Sequence, residues 1–295
     1  MSVSRAQDFA QRCWCPPFPT SIGEWLCCGA NDIRHFALSG SRTPDDTEPS
    51  DRASEVRKAT NQNYAYVGRE LDLAAEAVNW KRYWGSKAKP YLGPRVLEVG
   101  AGLGANIAHL CGDKQRYWLA LEPDEKQAER IDACKTRGEL PGVCHSRVGT
   151  LSDLEAAETF DTILYVDVLE HIQDDTAEVA LAARHLNAGG FLVVLAPAHQ
   201  ALFSALDTAL GHYRRYNRAS LLALTPPELI VDKCIYLDSL GVLASLANRF
   251  ALKAEVPTAA QYKLWDQFMI RISRVVDPFL GHRVGKSILA IWQKK

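Results

Sequence analysis

VLEVGAGLGAN, residues 96–106, is the stretch of the sequence that decides the fold. Its first residues are typical of a short apolar strand, and a run containing three glycines follows. Gly100 and Gly102 let the backbone turn sharply and approach a ligand, because glycine lacks a Cβ atom. A helix predicted to start near Ala105 would present free backbone N–H groups to a carboxylate or phosphate. The stretch therefore predicts a strand, a ligand-binding turn and a helix in succession.

Short apolar strands and helices alternate along the chain after this region. Apolar strands separated by helices indicate a parallel sheet that is covered on both faces. We therefore predict an α/β fold with a doubly wound, mostly parallel, seven-stranded Rossmann-like sheet. The predicted strands are 95–99, 117–121, 143–148, 161–166, 191–196, 229–237 and 287–292. The predicted helices are 66–84, 105–110, 124–135 and 176–186, the last ended by Gly189 and Gly190, with a helical insertion at about 239–284.

Composition narrows the class of protein. The chain has 295 residues, of which 47% are hydrophobic, and a formal net charge of −1. No apolar run reaches the length of roughly 18 residues that a membrane-spanning helix needs, and the first ten residues lack the apolar core of a signal peptide. We therefore expect a cytoplasmic protein whose partners do not include nucleic acid.

Residues 1–60 differ in character from the remainder. They are rich in proline and polar residues, so we predict a poorly ordered or accessory segment at 1–60 and one domain at 61–295. Four of the eight cysteines lie in this segment, at Cys13, Cys15, Cys27 and Cys28. Their spacing lacks the C-x-x-C pattern of zinc sites, and we expect free thiols.

Two acids near the glycine loop bear on which nucleoside it binds. The spacing Gly100-x-Gly102-x-x-Ala105 also fits the dinucleotide-binding pattern, so an NAD-dependent oxidoreductase or epimerase is an alternative. Glu98 would repel a pyrophosphate but would suit a cationic sulfonium nucleoside. Glu122 ends the second predicted strand, where an acid can accept hydrogen bonds from both hydroxyls of a ribose.

Three motifs occur in the same order as in a known enzyme family. They are the E-x-G-x-G-x-G loop at Glu98–Gly104, FDTILYVDVLEHI at 160–172 and LNAGGFLVV at 186–194. Together they resemble the class I S-adenosylmethionine-dependent methyltransferases over about residues 95–197. The resemblance implies S-adenosyl-L-methionine as cofactor and methyl transfer to an oxygen or nitrogen atom of a small molecule or glycoconjugate. A catalytically inactive, methyltransferase-like partner subunit is a further alternative.

The resemblance also implies which residues contact the cofactor. The methionine part would lie against the glycine loop, the ribose against Glu122, and the adenine between Thr150 and Leu151. Val166 and Asp167 would lie under the methionine and the sulfonium. The cofactor-binding residues that we predict are Glu98, Gly100, Ala101, Gly102, Gly104, Glu122, Pro123, Thr150, Leu151, Val166 and Asp167.

The sequence gives less information about the residues that contact the methyl acceptor, because methyl transfer mainly requires alignment of the two reactants. A base is needed only where the acceptor must lose a proton. His171 follows the fourth predicted strand, and His212 and Tyr213 lie in the polar stretch after the fifth; these three are the predicted catalytic residues. Arg214, Arg215 and Tyr216 are the predicted acceptor-binding residues.

A metal ion is a weaker option at this site. Asp167-x-x-Glu170-His171 resembles the E-x-x-E-H metal site of some quinone-pathway O-methyltransferases, but an aspartate with a shorter arm replaces the first glutamate. We therefore predict no bound metal.

The insertion carries an amphipathic pattern with basic residues. Tyr262, Trp265, Met269, Ile272 and Val276 recur at helical spacing. Basic residues are interspersed or follow, at Lys263, Arg271, Arg274, Arg283 and Lys286. Such a helix packs on its own sheet or lies on an anionic membrane, so peripheral membrane contact through 259–284 is one expectation. For the whole chain we expect a monomer or homodimer.

Overall fold

A seven-stranded mixed sheet forms the centre of the fold. The computed structural model describes residues 75–247 and 258–295, so the predictions for 1–60 and the first part of helix 66–84 lie outside the described residues. The strand order is β3-β2-β1-β4-β5-β7-β6. The strands are β1 (Arg95–Val99), β2 (Tyr117–Glu122), β3 (Cys144–Val148), β4 (Phe160–Val166), β5 (Leu186–Pro197), β6 (Leu229–Leu237) and β7 (Ser287–Lys294).

The strand directions confirm the predicted fold class. Strands β1 to β5 pair in parallel, and β7 pairs antiparallel with both β5 and β6. Alternate residues of the central strands enter two separate cores, one on each face of the sheet. In β1, for example, Val96 belongs to one core and Leu97 to the other. Both faces are thus covered, which is why these strands are apolar nearly throughout.

Nine helices and a π-helical turn are found within the described residues. The helices are α1 (Val78–Ala88), α2 (Ile107–Leu110), α3 (Glu125–Thr136), α4 (Asp175–Arg184), α5 (Ala205–Ala209), α6 (Arg218–Leu222), α7 (Ser239–Ala247), α8 (Ala259–Leu264) and α9 (Ile270–Phe279). The π-helical turn Trp265–Met269 joins α8 to α9. None of these helices, within 75–247 and 258–295, is long and apolar enough to cross a membrane.

The predicted helix starts and ends can be compared with the structure for three helices. The Asp124 side chain accepts a hydrogen bond from the backbone N–H of Lys126 and so caps α3, as predicted. Helix α1 is confirmed from Val78 and extends to Ala88, four residues beyond the predicted end. Helix α2 begins at Ile107, two residues later than predicted.

The predicted end of the helix before β5 is wrong. Helix α4 ends at Arg184 and β5 begins at Leu186, so Gly189 and Gly190 lie within the strand. The pairing of β5 with β4 shifts register here, between the partners of Phe160 and Thr162. Gly189 has a φ of 74°, which a β-bulge readily uses, and the glycines therefore mark an irregular strand and not a helix end.

Loops from β1, β2, β4 and β5 meet at one edge of the sheet. In open α/β sheets, ligands bind outside the carboxyl ends of parallel strands, where the strand order reverses direction. Strand β1 lies between β2 and β4, so the loop that follows it occupies that reversal point. The predicted cofactor loop is thus positioned by topology before any side chain is considered.

Candidate active site

The loop after β1 is fixed by its neighbours on both sides. Gly100, Gly102 and Gly104 have φ values of 65°, 55° and 69°, a conformation that favours glycine. The backbone N–H groups of Gly100 and Ala101 donate to the Leu121 carbonyl at 2.8 and 3.2 Å. A Cβ atom on Gly100 would lie 2.6 Å from Cγ2 of Val168. The loop is therefore pressed between the ends of β2 and β4.

The Glu122 carboxylate connects this loop to the turn after β2 through hydrogen bonds. One carboxylate oxygen accepts from the backbone N–H of Gly102 at 2.7 Å, and the other accepts from that of Asp124 at 3.0 Å. Each oxygen has a second lone pair, so the carboxylate can still accept from the hydroxyls of a ligand. Burial raises the pKa of Glu122 above its ordinary value. Pro123, half-buried, follows directly.

Glu98 is buried, unlike a residue at a solvated strand end. It is 1% exposed, and its two carboxylate oxygens accept from Asn106 Nδ2 at 2.9 Å and Trp118 Nε1 at 3.2 Å. Burial raises the pKa of Glu98 to about 7. The carboxylate thus fixes the residue that follows the loop, and we expect it to influence a bound cation through space.

Asp167 follows β4 in a left-handed conformation, with φ of 53°. Its backbone N–H donates to the Leu195 carbonyl at 2.8 Å. Asp167 as a whole is exposed to solvent, although other protein atoms surround its carboxylate group. Burial raises its pKa to about 6, against the attraction of His212, Lys286 and Lys81. Val166, which precedes it, is half-buried.

The three acids together fit a cationic nucleoside. Burial raises the pKa of Glu98, Glu122 and Asp167, because a charged carboxylate is poorly solvated at each position. A nearby positive charge would favour their ionised forms, whereas a pyrophosphate would add repulsion. The donor and acceptor set of this site therefore suits a ligand that carries a positive charge and vicinal hydroxyls.

The turn after β3 reaches the same edge of the sheet. The backbone N–H of Gly149 donates to the Glu122 carbonyl at 3.0 Å. Thr150 caps a short 3-10 turn at Leu151–Asp153, where its backbone N–H donates to the Asp153 carboxylate at 2.8 Å. Leu151 is fully buried. The turn is thus placed beside Glu122, and its contact with an adenine stays a prediction.

His212 is oriented by a buried carboxylate. Its Nδ1 lies 2.9 Å from Oδ1 of Asp207, which is 1% exposed. Arg215 also binds Asp207, through Nε at 2.7 Å and Nη2 at 2.9 Å. Burial opposes ionisation of Asp207, but the hydrogen bonds from His212 and Arg215 outweigh it and hold its pKa below the ordinary range. Because an ionised carboxylate only accepts, Nδ1 of His212 donates to it, and Nε2 is the ring nitrogen left for other contacts.

His171 lies against His212, with ring centroids 4.5 Å apart and the rings perpendicular. Burial, assisted by His212, lowers the pKa of His171 to about 4. The imidazole is therefore neutral at physiological pH and a weak proton acceptor. Tyr213 is 53% exposed, and its backbone N–H donates to the Glu170 carbonyl at 2.8 Å. The structure thus brings the three predicted catalytic residues together, and their roles stay predictions.

The three predicted acceptor-binding residues are largely engaged within the protein. Tyr216 is 1% exposed, and its hydroxyl donates to the Asp175 carboxylate at 2.8 Å, so the prediction of acceptor contact is wrong for this side chain. Arg214 pairs with the same Asp175 at 2.6 Å. Arg215 is held by Asp207 as described. These arginines support the loop that carries His212, and acceptor contact by either stays a prediction.

Glu170 is a buried acid beside the two histidines. Neither carboxylate oxygen has a hydrogen-bond partner among the described residues, and burial raises its pKa well above the ordinary value. Ligand atoms of Glu170, His171 and His212 lie within 4.8 Å of one another, close enough to hold a metal ion. The prediction of no metal is therefore not decided by this geometry.

Two lysines near the site were not predicted. Lys81 on α1 is 5% exposed, and burial lowers its pKa to about 8 although Asp266, Asp167 and Glu98 attract it. Lys286 was assigned to the basic face of the insertion, but it is turned inward, 5.4 Å from the centroid of the Trp265 ring. Burial lowers the pKa of Lys286 as well. In sequence each of these lysines has the appearance of an ordinary solvated charge, so no sequence pattern distinguishes the two.

Comparison with known proteins places this site in context. A family model described as "Methyltransferase domain" matches residues 59–225, more than half of the chain. A probable S-adenosylmethionine-dependent methyltransferase of Mycolicibacterium smegmatis is 29% identical over 189 residues, covering 60% of this chain and 69% of that protein.

One further relative and one solved structure differ in the methylated atom that their names specify. A ubiquinone biosynthesis O-methyltransferase of Mesorhizobium japonicum is 31% identical over 109 residues, covering 36% of this chain and 42% of that protein. The chain thus matches less than half the length of this relative. A crystal structure of coclaurine N-methyltransferase with N-methylheliamine and SAH superimposes with a TM-score of 0.52 at 15% identity, covering 74% of this chain and 71% of that chain. At that identity the likeness shows the fold alone.

Proposed function

The chain belongs to the class I S-adenosylmethionine-dependent methyltransferase family, and we propose that it methylates an oxygen or nitrogen atom of a small molecule or glycoconjugate. Family membership decides against the NAD-dependent alternative, which the glycine spacing alone left open. The overall formal charge of −1 is a further reason to favour a small acceptor over nucleic acid.

The observation that carries the acceptor proposal is the pairing of His212 with Asp207. The buried, ionised carboxylate holds the His212 ring through Nδ1, next to His171, and leaves Nε2 for an acceptor. A hydroxyl acceptor must lose a proton during methylation, whereas an amine can lose it afterwards to water. Within the proposal, the pair therefore favours oxygen as the methylated atom.

Each residue then has a defined task. S-adenosylmethionine, when bound, supplies a methyl carbon that is activated by a positive sulfur. The glycine loop and Glu122 would bind the nucleoside, and Asp167 and Glu98 would offset its charge. The acceptor hydroxyl forms the new O–CH₃ bond as the S–CH₃ bond breaks, and its proton passes to His212 Nε2. Asp207 stabilises the resulting imidazolium.

A labelling assay tests this proposal. The full chain is incubated with methyl-labelled S-adenosylmethionine and a cell extract separated into small-molecule, protein and nucleic-acid fractions. We expect label in the small-molecule or glycan fraction, and at least tenfold less with His212→Gln. Label confined to protein or nucleic acid would contradict the acceptor class. Retained SAH binding with no label in any fraction would instead identify a non-catalytic partner subunit.

A further inference from the structure

The helical segment α8–α9 buries three polar side chains against the protein. Asp266, Ser273 and Asp277 are buried, together with Ile270. They recur at steps of three or four residues, so they share one side of the helix. The side that packs against the fold therefore carries polar residues as well as apolar ones, because the half-buried side chains Tyr262, Trp265, Met269 and Val276 also lie there.

Specific hydrogen bonds fix this orientation. Asp266 accepts from the backbone N–H groups of Asn79 and Trp80 at 3.2 and 2.8 Å, at the start of α1. Asp277 accepts from the Tyr83 hydroxyl at 2.6 Å and from the backbone N–H groups at 238 and 239, at 2.7 and 3.0 Å. Rotating the helix to bury its other side would break these bonds and leave two buried acids without partners, so the bonds fix which side of the helix faces outward.

The opposite side of the same segment is apolar and exposed. Five large apolar side chains, each 50–87% exposed, are spaced four, four, three and four residues apart and so form one stripe: Leu264, Phe268, Ile272, Val275 and Phe279. Apolar residues scattered singly on a surface need no explanation, but a continuous stripe of this kind marks an interaction surface. We call these five residues the outer stripe.

The exposed charged side chains of the segment itself are all of one sign. Within residues 258–286 the only acids are Asp266 and Asp277, and both are buried and hydrogen-bonded inward. The cations Lys263, Arg271, Arg274 and Arg283 are exposed. A second copy of this face would bring like charges together, which disfavours self-association through the stripe. An anionic surface with an apolar interior matches both its charge and its hydrophobicity.

We propose that the outer stripe docks the enzyme on a bilayer that contains anionic lipids. The five apolar side chains enter the boundary between headgroups and acyl chains, and the four cations contact the lipid phosphates. The polar bonds to α1 keep the stripe facing outward while the helix is docked. This inference goes beyond the proposed function and does not depend on which acceptor the enzyme methylates.

Vesicle flotation with the full chain tests the inference. We compare neutral phosphatidylcholine vesicles with vesicles that contain a substantial share of phosphatidylglycerol. We expect binding to the anionic vesicles only, and weaker binding at high salt, because the Debye length shortens.

Matched variants distinguish vesicle binding through the outer stripe from nonspecific binding through any exposed apolar side chain. Ile272 and Ile230 are the same residue type at 50% and 54% exposure, and Ile230 lies on β6, outside the stripe. Ile272→Ser should weaken vesicle binding about tenfold, and Ile230→Ser should leave it unchanged. Arg271→Gln and Arg274→Gln should each weaken it about fivefold. All four variants should retain SAH binding, because none of these residues lies at the cofactor site.

Three results would overturn the inference. They are absence of binding to the anionic vesicles, equal loss in Ile272→Ser and Ile230→Ser, or a wild-type dimer in light scattering that Ile272→Ser dissociates. Absence of binding to the anionic vesicles would mean that the outer stripe is covered by another part of the chain or by nothing. A dimer that Ile272→Ser dissociates would mean that a second copy of the chain covers it. Failure of methyl transfer would be seen separately, in the labelling assay.

Discussion

Three acids around the glycine loop have raised pKa values for one physical reason, and that reason makes ligand binding sensitive to pH. Asp167 has a pKa of about 6 and Glu98 of about 7, because each is poorly solvated when charged. Both are mainly protonated at pH 5.5 and mainly ionised at pH 8. A sulfonium nearby therefore gains attraction as the pH rises.

We predict that preference for S-adenosylmethionine over SAH increases with pH. The two ligands differ in the methyl group and its positive charge, so their ratio of dissociation constants isolates the electrostatic effect. The ratio should change by roughly tenfold in favour of S-adenosylmethionine between pH 5.5 and pH 8, as measured by calorimetry. In Asp167→Asn the dependence should be much shallower. A ratio that is constant over this range in the wild type would contradict the assigned role of these acids.

His212 and His171 should differ in how much each contributes to the rate of methyl transfer. His212→Gln removes the base that Asp207 orients, so the rate of label incorporation should fall by about 10²- to 10⁴-fold. His171→Gln should cost less than about tenfold, because a histidine with a pKa of about 4 is a weak base. SAH affinity, measured by calorimetry, should stay within about twofold in both. A larger loss in His171→Gln would reverse the two assignments.

At the scale of elements, β5 shows how a strand accommodates the turn from α4. A Cβ atom on Gly190 would lie 2.9 Å from both the Asn187 and the Asp161 carbonyl oxygens. Both contacts are with backbone, which cannot move without disturbing the pairing of β4 and β5. The absence of a side chain at position 190 is therefore a packing requirement of this irregular strand.

Gly190→Ala should destabilise the protein by about 1–3 kcal/mol, measured as the free energy of unfolding in urea. Gly142→Ala is the matched control, because a Cβ atom there meets nothing within 4 Å and the residue is exposed. The control should change stability by less than about 0.5 kcal/mol. Equal effects of the two substitutions would show that the carbonyls near Gly190 relax freely.

Elements with continuous apolar patterns were predictable from sequence. Every strand in the described part of the chain was predicted, with bounds within one or two residues except for the start of β5, and the central strands were clearest because they are apolar nearly throughout. The start of β5 was missed by five residues, since Gly189 and Gly190 are as typical of a helix end as of a bulged strand. Local sequence holds no information that separates these two uses of glycine.

At the scale of the whole molecule, the missing predictions concern contacts between distant residues. The bonds from Asp266 to Asn79 and Trp80 span more than 180 positions, and they decide which side of α8–α9 faces inward. From sequence, Trp265 and Ile272 were placed on the same apolar face, but Trp265 is half-buried and Ile272 is exposed. The cofactor loop, by contrast, was predictable because strand, glycines and acid are close in sequence.

The engaged side chains near His212 show the same limit. Arg215 and Tyr216 were expected to contact an acceptor, because arginine and tyrosine are common binding residues. Their partners Asp207 and Asp175 precede them by 8 and 41 positions, and only the fold shows that they are satisfied internally. The residue types thus predicted which segment of the chain lies near the site, but not which of its side chains face the acceptor.

The central claim is that the loop between β1 and α2, with Glu122, binds a sulfonium nucleoside. Isothermal titration of the full chain with SAH and with NAD tests it most directly, using the wild type and Glu122→Gln. We predict saturable binding of SAH, no heat with NAD, and affinity for SAH at least tenfold lower in Glu122→Gln, because hydrogen bonds to a charged acceptor are lost. Binding of NAD in place of SAH, or unchanged SAH affinity in Glu122→Gln, would contradict the account.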